Sequence, residues 1–185
     1  MNRFAGWLAL FGLLAPLAGW NAEPGFTVRR AELFQHEDRS WGLDADIDYH
    51  FNETAVEAMQ NGVPLTLVLR LRVKRARPWW WDETVISENH RRTIRYHPLA
   101  RAYQLTAAES GVTENFATLR ALLEELGRIR NLPVQAPRPF DSGDYHAALS
   151  VTLDIESLPL PLRPTAYLSP QWHLNSPWYR WSFAN

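Results

Sequence analysis

The chain has 185 residues, enough for one domain that buries about 70% of its unfolded surface without a metal or disulfide staple. Its 19 basic and 20 acidic residues leave a formal net charge of -1, so the field of the whole molecule selects neither a polyanion nor a polycation. Cysteine is absent, which excludes disulfide frameworks, thiol nucleophiles and cysteine-rich zinc sites together.

The N-terminus reads as an export signal. Met1-Asn2-Arg3 supplies a short positive end, Phe4 to Leu17 carries no charge, and small residues follow at Ala18, Gly19 and Ala22. That order is the one found in secretory leaders. Trp20 would sit three residues before a cut after Ala22, where a small residue is preferred. The uncharged stretch from Phe4 to Ala22 is also near the ~20 residues that span a bilayer, and indole suits the interface. Residues 1–22 are therefore expected to be a signal peptide or an N-terminal membrane anchor, followed by one β-rich domain over residues 23–185. The expected location is the periplasm.

Beyond the leader the dominant period is two. Phe26 to Phe34 precedes a long alternating run in which Trp41, Leu43, Ala45, Ile47, Tyr49 and Phe51 form the dry row. Successive side chains on a strand point to opposite faces, so these segments predict a hairpin turned through Gln35 to Ser40. Leu65 to Lys74 alternates likewise, as does Leu149 to Ile155. Val85 to Tyr96 and Tyr103 to Ala108 predict another pair turned through His97-Pro98-Leu99-Ala100. Two short helices interrupt them. Asn52 to Asn61 has a capping asparagine and an Asn-Gly stop, and Thr118 to Arg128 carries leucines at helical spacing behind a capping threonine. Leu158 to Pro164, with three prolines, is expected to form an extended polyproline strap. The fold class is thus mainly β: an antiparallel β-sandwich or curved sheet with one or two short inserted α-helices.

Two constellations can carry chemistry. Asp44, Asp46 and Asp48 share one strand face, with His50 next in the row. Such a row serves acid–base or metal chemistry when the carboxylates are held together in distinct environments. Same-face neighbours on a strand are about 6.5 to 7 Å apart, however, too far for one ion. Cross-strand pairing with a basic row at Arg70, Arg72 and Lys74, and with Arg29 on the hairpin partner, is the expected role. The second constellation is basic and aromatic. Nine of the 19 cationic residues fall between Arg70 and Arg101, around Trp79-Trp80-Trp81. Trp79, Trp80, Trp81, Arg70 and Arg72 are the candidate binding residues, for anionic head groups or wall polymers rather than nucleic acid. The competing expectation is a strand that buries these aromatics at a sheet edge. The histidines His36, His90, His97, His146 and His173 are scattered without metal-ligand spacing and read as surface or satisfied groups. No catalytic residue, metal site or cofactor is predicted, since the nucleophile-elbow, dinucleotide, Walker and zincin motifs are all missing.

Four segments, taken in order, resemble a known bacterial family. They are Phe26-Thr27-Val28-Arg29-Arg30-Ala31, Asn61-Gly62-Val63-Pro64-Leu65, Trp79-Trp80-Trp81-Asp82-Glu83, and Leu158 to Pro164 continuing through Trp178. On these the chain is similar to the domain-of-unknown-function family 4390. The resemblance implies an uncharacterised, leader-bearing envelope protein of proteobacterial type, and it brings no catalytic residues with it. It also implies a partner class, an envelope protein or an inner-membrane sensor kinase, because members of the family are often encoded beside a two-component sensor kinase of the nitrogen-regulation type. The functional expectation is a non-catalytic binding or interaction module. A hydrolase acting on an envelope glycan through Asp44, Asp46 or Asp48 is the alternative.

Overall fold

In the computed structural model, residues 25–77, 81–136 and 140–184 are described. The expected leader or anchor, together with Trp79 and Trp80, lies outside them. The expected fold class holds. Antiparallel strands form two sheets, one of three strands in the order β1-β2-β7 and one of six in the order β6-β5-β4-β3-β8-β9.

The predicted hairpin is present as β1 (Gly25–Gln35) and β2 (Trp41–His50), with Val28 opposite Ile47 and Leu33 opposite Leu43. Arg39 takes a left-handed φ of 68° at its turn, where the Asp38 carboxylate accepts from the Ser40 amide at 2.9 Å. Side-chain and backbone hydrogen bonds from Ser40 hold Asp38 below the usual carboxylate range. β2 leads into α1 (Glu53–Gln60), capped by the Asn52 side chain, which accepts from the Ala55 amide at 2.9 Å. β3 (Leu65–Arg75) follows, then β4 (Glu83–His97) and β5 (Ala102–Ala107), all paired in sequence. β6 (Thr113–Phe116) ends at the threonine-capped α2 (Leu119–Gly127), which runs directly into β7 (Arg128–Val134). β8 (Asp144–Leu153) then returns beside β3, and β9 (Tyr179–Ala184) closes the sheet edge. Sequence periodicity did not reveal β6, β7 or β9, which are short and only partly buried.

The core lies between the sheets. Leu43, Ala45 and Ile47 of β2 face Leu67, Leu69, Leu71 and Val73 of β3 and Leu149 and Val151 of β8, and all are buried. One end is filled by an aromatic group in which Phe140 stands 4.6 Å from Trp41 and 4.8 Å from Tyr145. The sheets meet where the Phe26 amide donates to the Asn175 carbonyl at 3.2 Å, so β1 touches the segment leading into β9.

The proline-rich strap differs from expectation. Leu158 and Pro159 keep an extended backbone, with φ -68° and ψ 153° at the first and φ -53° and ψ 140° at the second. Around it lie short 3-10 turns at Ile155–Ser157 and Leu160–Leu162, then α3 (Arg163–Leu168) and a further turn at Pro170–Trp172. A proline φ suits the first turn of a helix as well as an extended chain, and there the missing N–H costs nothing. Pro161 and Pro164 occupy such positions. Burial of Leu158, Ala166, Trp172 and Leu174 decides between the two forms.

The junction of α2 and β7 is the tightest point of the sandwich. A Cβ built on Gly127 would lie 2.3 Å from the Ile47 carbonyl oxygen, which belongs to backbone and has no side chain to move aside. Gly127→Ala is expected to destabilise the protein by about 1–3 kcal/mol, the usual range for overpacking. Gly111→Ala, whose left-handed turn has open space around it, should cost about 1–2 kcal/mol through backbone strain alone. Urea unfolding of both variants checks the order.

Candidate functional site

The acidic row and the basic row do not meet. β2 belongs to the three-stranded sheet, whereas Arg70, Arg72 and Lys74 stand on β3, whose neighbours are β4 and β8. The expected pairing of the two rows is therefore wrong, because period-two patterning gives the face of a strand but not its sheet. The compensating charges come from elsewhere. Arg29 does pair with Asp48, its Nε donating at 2.5 Å, and this contact raises the guanidinium pKa above its ordinary value through the hydrogen bond first and charge second. Arg130 of β7 donates to Asp46 at 2.5 Å, and the Asn131 amide donates to Asp44 at 2.7 Å. Asp46, Asp48 and His50 border an open groove of about 640 Å³ against Leu119 and Leu123 of α2. Among the described residues no three His, Asp or Glu side chains group as metal ligands.

The other predicted constellation is brought together, with additions from the C-terminal strand. On β3 the outward side chains are Arg70, Arg72 and Lys74. Arg72 lies across from Ala148 of β8, and Ala148 across from Arg180 of β9. Lys74 lies across from His146, and His146 from Ser182, whose hydroxyl is 2.9 Å from the His146 ring. Strands about 4.8 Å apart thus set the Cα atoms of Arg72, Lys74 and Arg180 on one sheet face within roughly 12 Å of one another. The Arg72 guanidinium sits 4.9 Å from the centre of the Trp178 ring, a cation–π contact. Together with Asp82 these residues line a groove of about 530 Å³. Arg70, Arg72, Lys74, Arg95 and Arg180 form no ion pair among the described residues, whereas Arg75 and Arg77 pair with Asp141 and Glu83. Trp81 is 92% exposed at the near end of β4. The expectation that this tryptophan is buried at a sheet edge is therefore corrected: residues 81 and 82 precede the strand rather than belonging to it.

The signal missed in the sequence is the tail. Trp178 and Arg180 repeat the basic–aromatic pattern of the Arg70 to Trp81 region, a hundred residues later, and only β9 pairing puts the two side by side. A different miss lies on the opposite face of the same sheet. His90, expected to be a surface or satisfied group, is buried, and its Nδ1 has no hydrogen-bond partner among the described residues.

A family model described as a domain of unknown function, DUF4390, matches residues 23–182. The chain belongs to that family. No curated protein and no solved structure matches it. The match begins where the expected leader ends and runs through Ser182, so the basic face, including its β9 contribution, lies within the family domain.

The acidic row provides a test of its structural role in this family member. Asp46 and Arg130 are each nearly half exposed, at 43% and 48% of the side chain. Exposed pairs contribute little and are screened by salt. Asp46→Asn is expected to cost under ~1 kcal/mol, with the loss shrinking as salt is added. Thermal melts at low and high ionic strength measure both.

Proposed function

We propose that this DUF4390 protein is an exported, non-catalytic binding module that docks through the outer face of β3, β8 and β9 onto an anionic membrane surface. The observation that carries the reading is the group of cations Arg70, Arg72, Lys74 and Arg180, without an ion pair among the described residues, on one sheet face with Trp178, with the exposed Trp81 just ahead of β4. Cations draw the face to anionic head groups, at about 1 kcal/mol per residue near the surface, and indole rings favour the head-group level. The N-terminal Arg3 and the uncharged run behind it support a place in the envelope, where such a surface is at hand. An envelope protein or an inner-membrane sensor kinase would then be met at that surface. Glu53, Glu57 and the acidic row of β2 lie elsewhere on the molecule, so the charge asymmetry orients it.

The alternative, a glycan hydrolase using Asp44, Asp46 or Asp48, has less behind it. Asp46 and Asp48 do border a groove, but each of the three carboxylates is occupied by an arginine or a backbone amide.

The chain from Glu23 onward should sediment with vesicles containing phosphatidylglycerol and not with neutral phosphatidylcholine vesicles. Removing three charges in Arg72→Gln/Lys74→Gln/Arg180→Gln should weaken that partition by about 100-fold at low ionic strength. Equal sedimentation with neutral vesicles, or no loss in the triple variant, would overturn the docking face. Retention by a membrane-protein fraction but not by lipid would point instead to a protein partner. Export is tested separately by fusing residues 1–25 to a reporter that is active only outside the cytoplasm. The expected result is an active fusion, and an expressed but silent one counts against both leader and anchor.

A further inference from the structure

The basic groove beside Trp178 has a shape as well as a charge, and the register of three strands sets that shape. In one row Arg72 of β3 is opposite Ala148 of β8, and Ala148 is opposite Arg180 of β9. In the next row Lys74 is opposite His146, and His146 is opposite Ser182. Strands lie about 4.8 Å apart, so the Cα atoms of Arg72 and Arg180 are separated by roughly 10 Å. The position between them is Ala148, a single methyl group that is only partly buried. A larger side chain would fill the space between the two arginines, whereas alanine leaves a hollow.

Polar groups stand around this hollow. At one end the Trp178 ring lies 4.9 Å from the Arg72 guanidinium. At the other are Lys74, His146 and Ser182, with the Ser182 hydroxyl 2.9 Å from the His146 ring. The flanking positions on β4, Ser87 opposite Arg72 and Thr84 opposite Lys74, are uncharged. Asp82 is the one carboxylate among the described residues that border the groove. Three cations, one carboxylate and the hydroxyl and imidazole donors thus share a space of about 530 Å³.

We infer that this hollow binds a phosphate monoester, taken between the Arg72 and Arg180 guanidiniums over Ala148, with Lys74 and the Ser182 hydroxyl on its remaining oxygen. The inference rests on the reading of this face as the docking surface and names the head group that the face selects. A guanidinium offers a planar fork that matches phosphate in two parallel hydrogen bonds. A monoester presents three terminal oxygens and a charge of about -1.5 to -2 near neutral pH. Forks from two sides and a third donor can therefore all be used at once. A diester has two free oxygens and a single charge, and leaves one of these partners empty. Asp82 repels every anion and selects none. A lipid head group such as that of phosphatidic acid and a soluble phosphate ester share this chemistry.

The test sediments the full-length protein with phosphatidylcholine vesicles carrying either phosphatidic acid, a monoester, or phosphatidylglycerol, a diester, matched in zeta potential. A diffuse cationic face binds both alike at equal surface charge, so the ratio of the two partitions reads the hollow and not the field. The monoester vesicles should bind about tenfold more tightly. Ala148→Leu, which removes no charge and fills the hollow, should bring the two partitions together. Equal partition in the parent, or a preference that survives Ala148→Leu, overturns the inference while docking to phosphatidylglycerol still stands. Should Ala148→Leu not fold, an unchanged ratio in Arg180→Gln overturns it equally. Thermal melts with glycerol phosphate, and with dimethyl phosphate as the diester control, separate the sources at about 0.15 M salt. A saturable rise in Tm with glycerol phosphate alone, without binding to either vesicle, supports the site with a free phosphate ester as its ligand and removes the membrane reading. No rise and no vesicle binding overturn both.

Discussion

Three strands lie opposite six. The β1-β2-β7 sheet cannot cover the whole inner face of its partner, and the way the shortfall is met shapes the rest of the molecule. β1 reaches β8 and the segment before β9, and α2 takes over beyond β7 to cover β5 and β6 with Leu122 and Leu126. That handover needs helix and strand to share one continuous backbone pressed against β2, which is why a glycine stands at position 127. Between β7 and α2 on one side and β4 and β5 on the other, coverage is incomplete. The inner face there is polar where elsewhere it is aliphatic, as a face must be when water can reach its margin.

The two faces of the six-stranded sheet thus divide the chemistry. The inner face holds the apolar core and, at its uncovered margin, a few ionisable groups in mutual contact. The outer face of β3, β8 and β9 carries cations that form no ion pair among the described residues, with Asp82 the one carboxylate bordering their groove. A near-neutral net charge conceals this separation. The acidic residues of β2 and α2 are answered by Arg29, Arg130, Arg120 and Arg128, whereas Arg70, Arg72, Lys74 and Arg180 form no ion pair among the described residues.

Alternation made most of the fold legible. The rows headed by Trp41, Leu65 and Leu149 each became a strand with the expected buried side, and the caps at Asn52 and Thr118 both hold. Pairing was not legible, because a two-residue period carries no information about which strand lies alongside. The acidic and basic rows, alike in pattern, therefore ended in different sheets. The proline-rich segment failed for another reason: proline fixes φ and leaves ψ to packing, which the local sequence does not contain. Of the candidate binding residues, Arg70 and Arg72 took the outward positions that alternation gives them, but Trp178 and Arg180 joined them only through tertiary pairing. Glu88, His90 and Arg92 also alternate, yet nothing in their spacing says that this row points into the molecule.

The contact between Phe26 and Asn175 has a consequence for the order of events in synthesis. The first strand of the domain is among the earliest segments to leave the ribosome, and the stretch that secures its edge is among the last. Two of the five pairings of the larger sheet, β3 with β8 and β8 with β9, also await the end of the chain, and they set Arg180 on the face of Arg72. Long-range closures of this kind are slow and come late. The hairpins β1-β2 and β3 to β6 can thus form while the chain is still being made, but the joining of the two sheets and the assembly of the cationic face wait for its last residues.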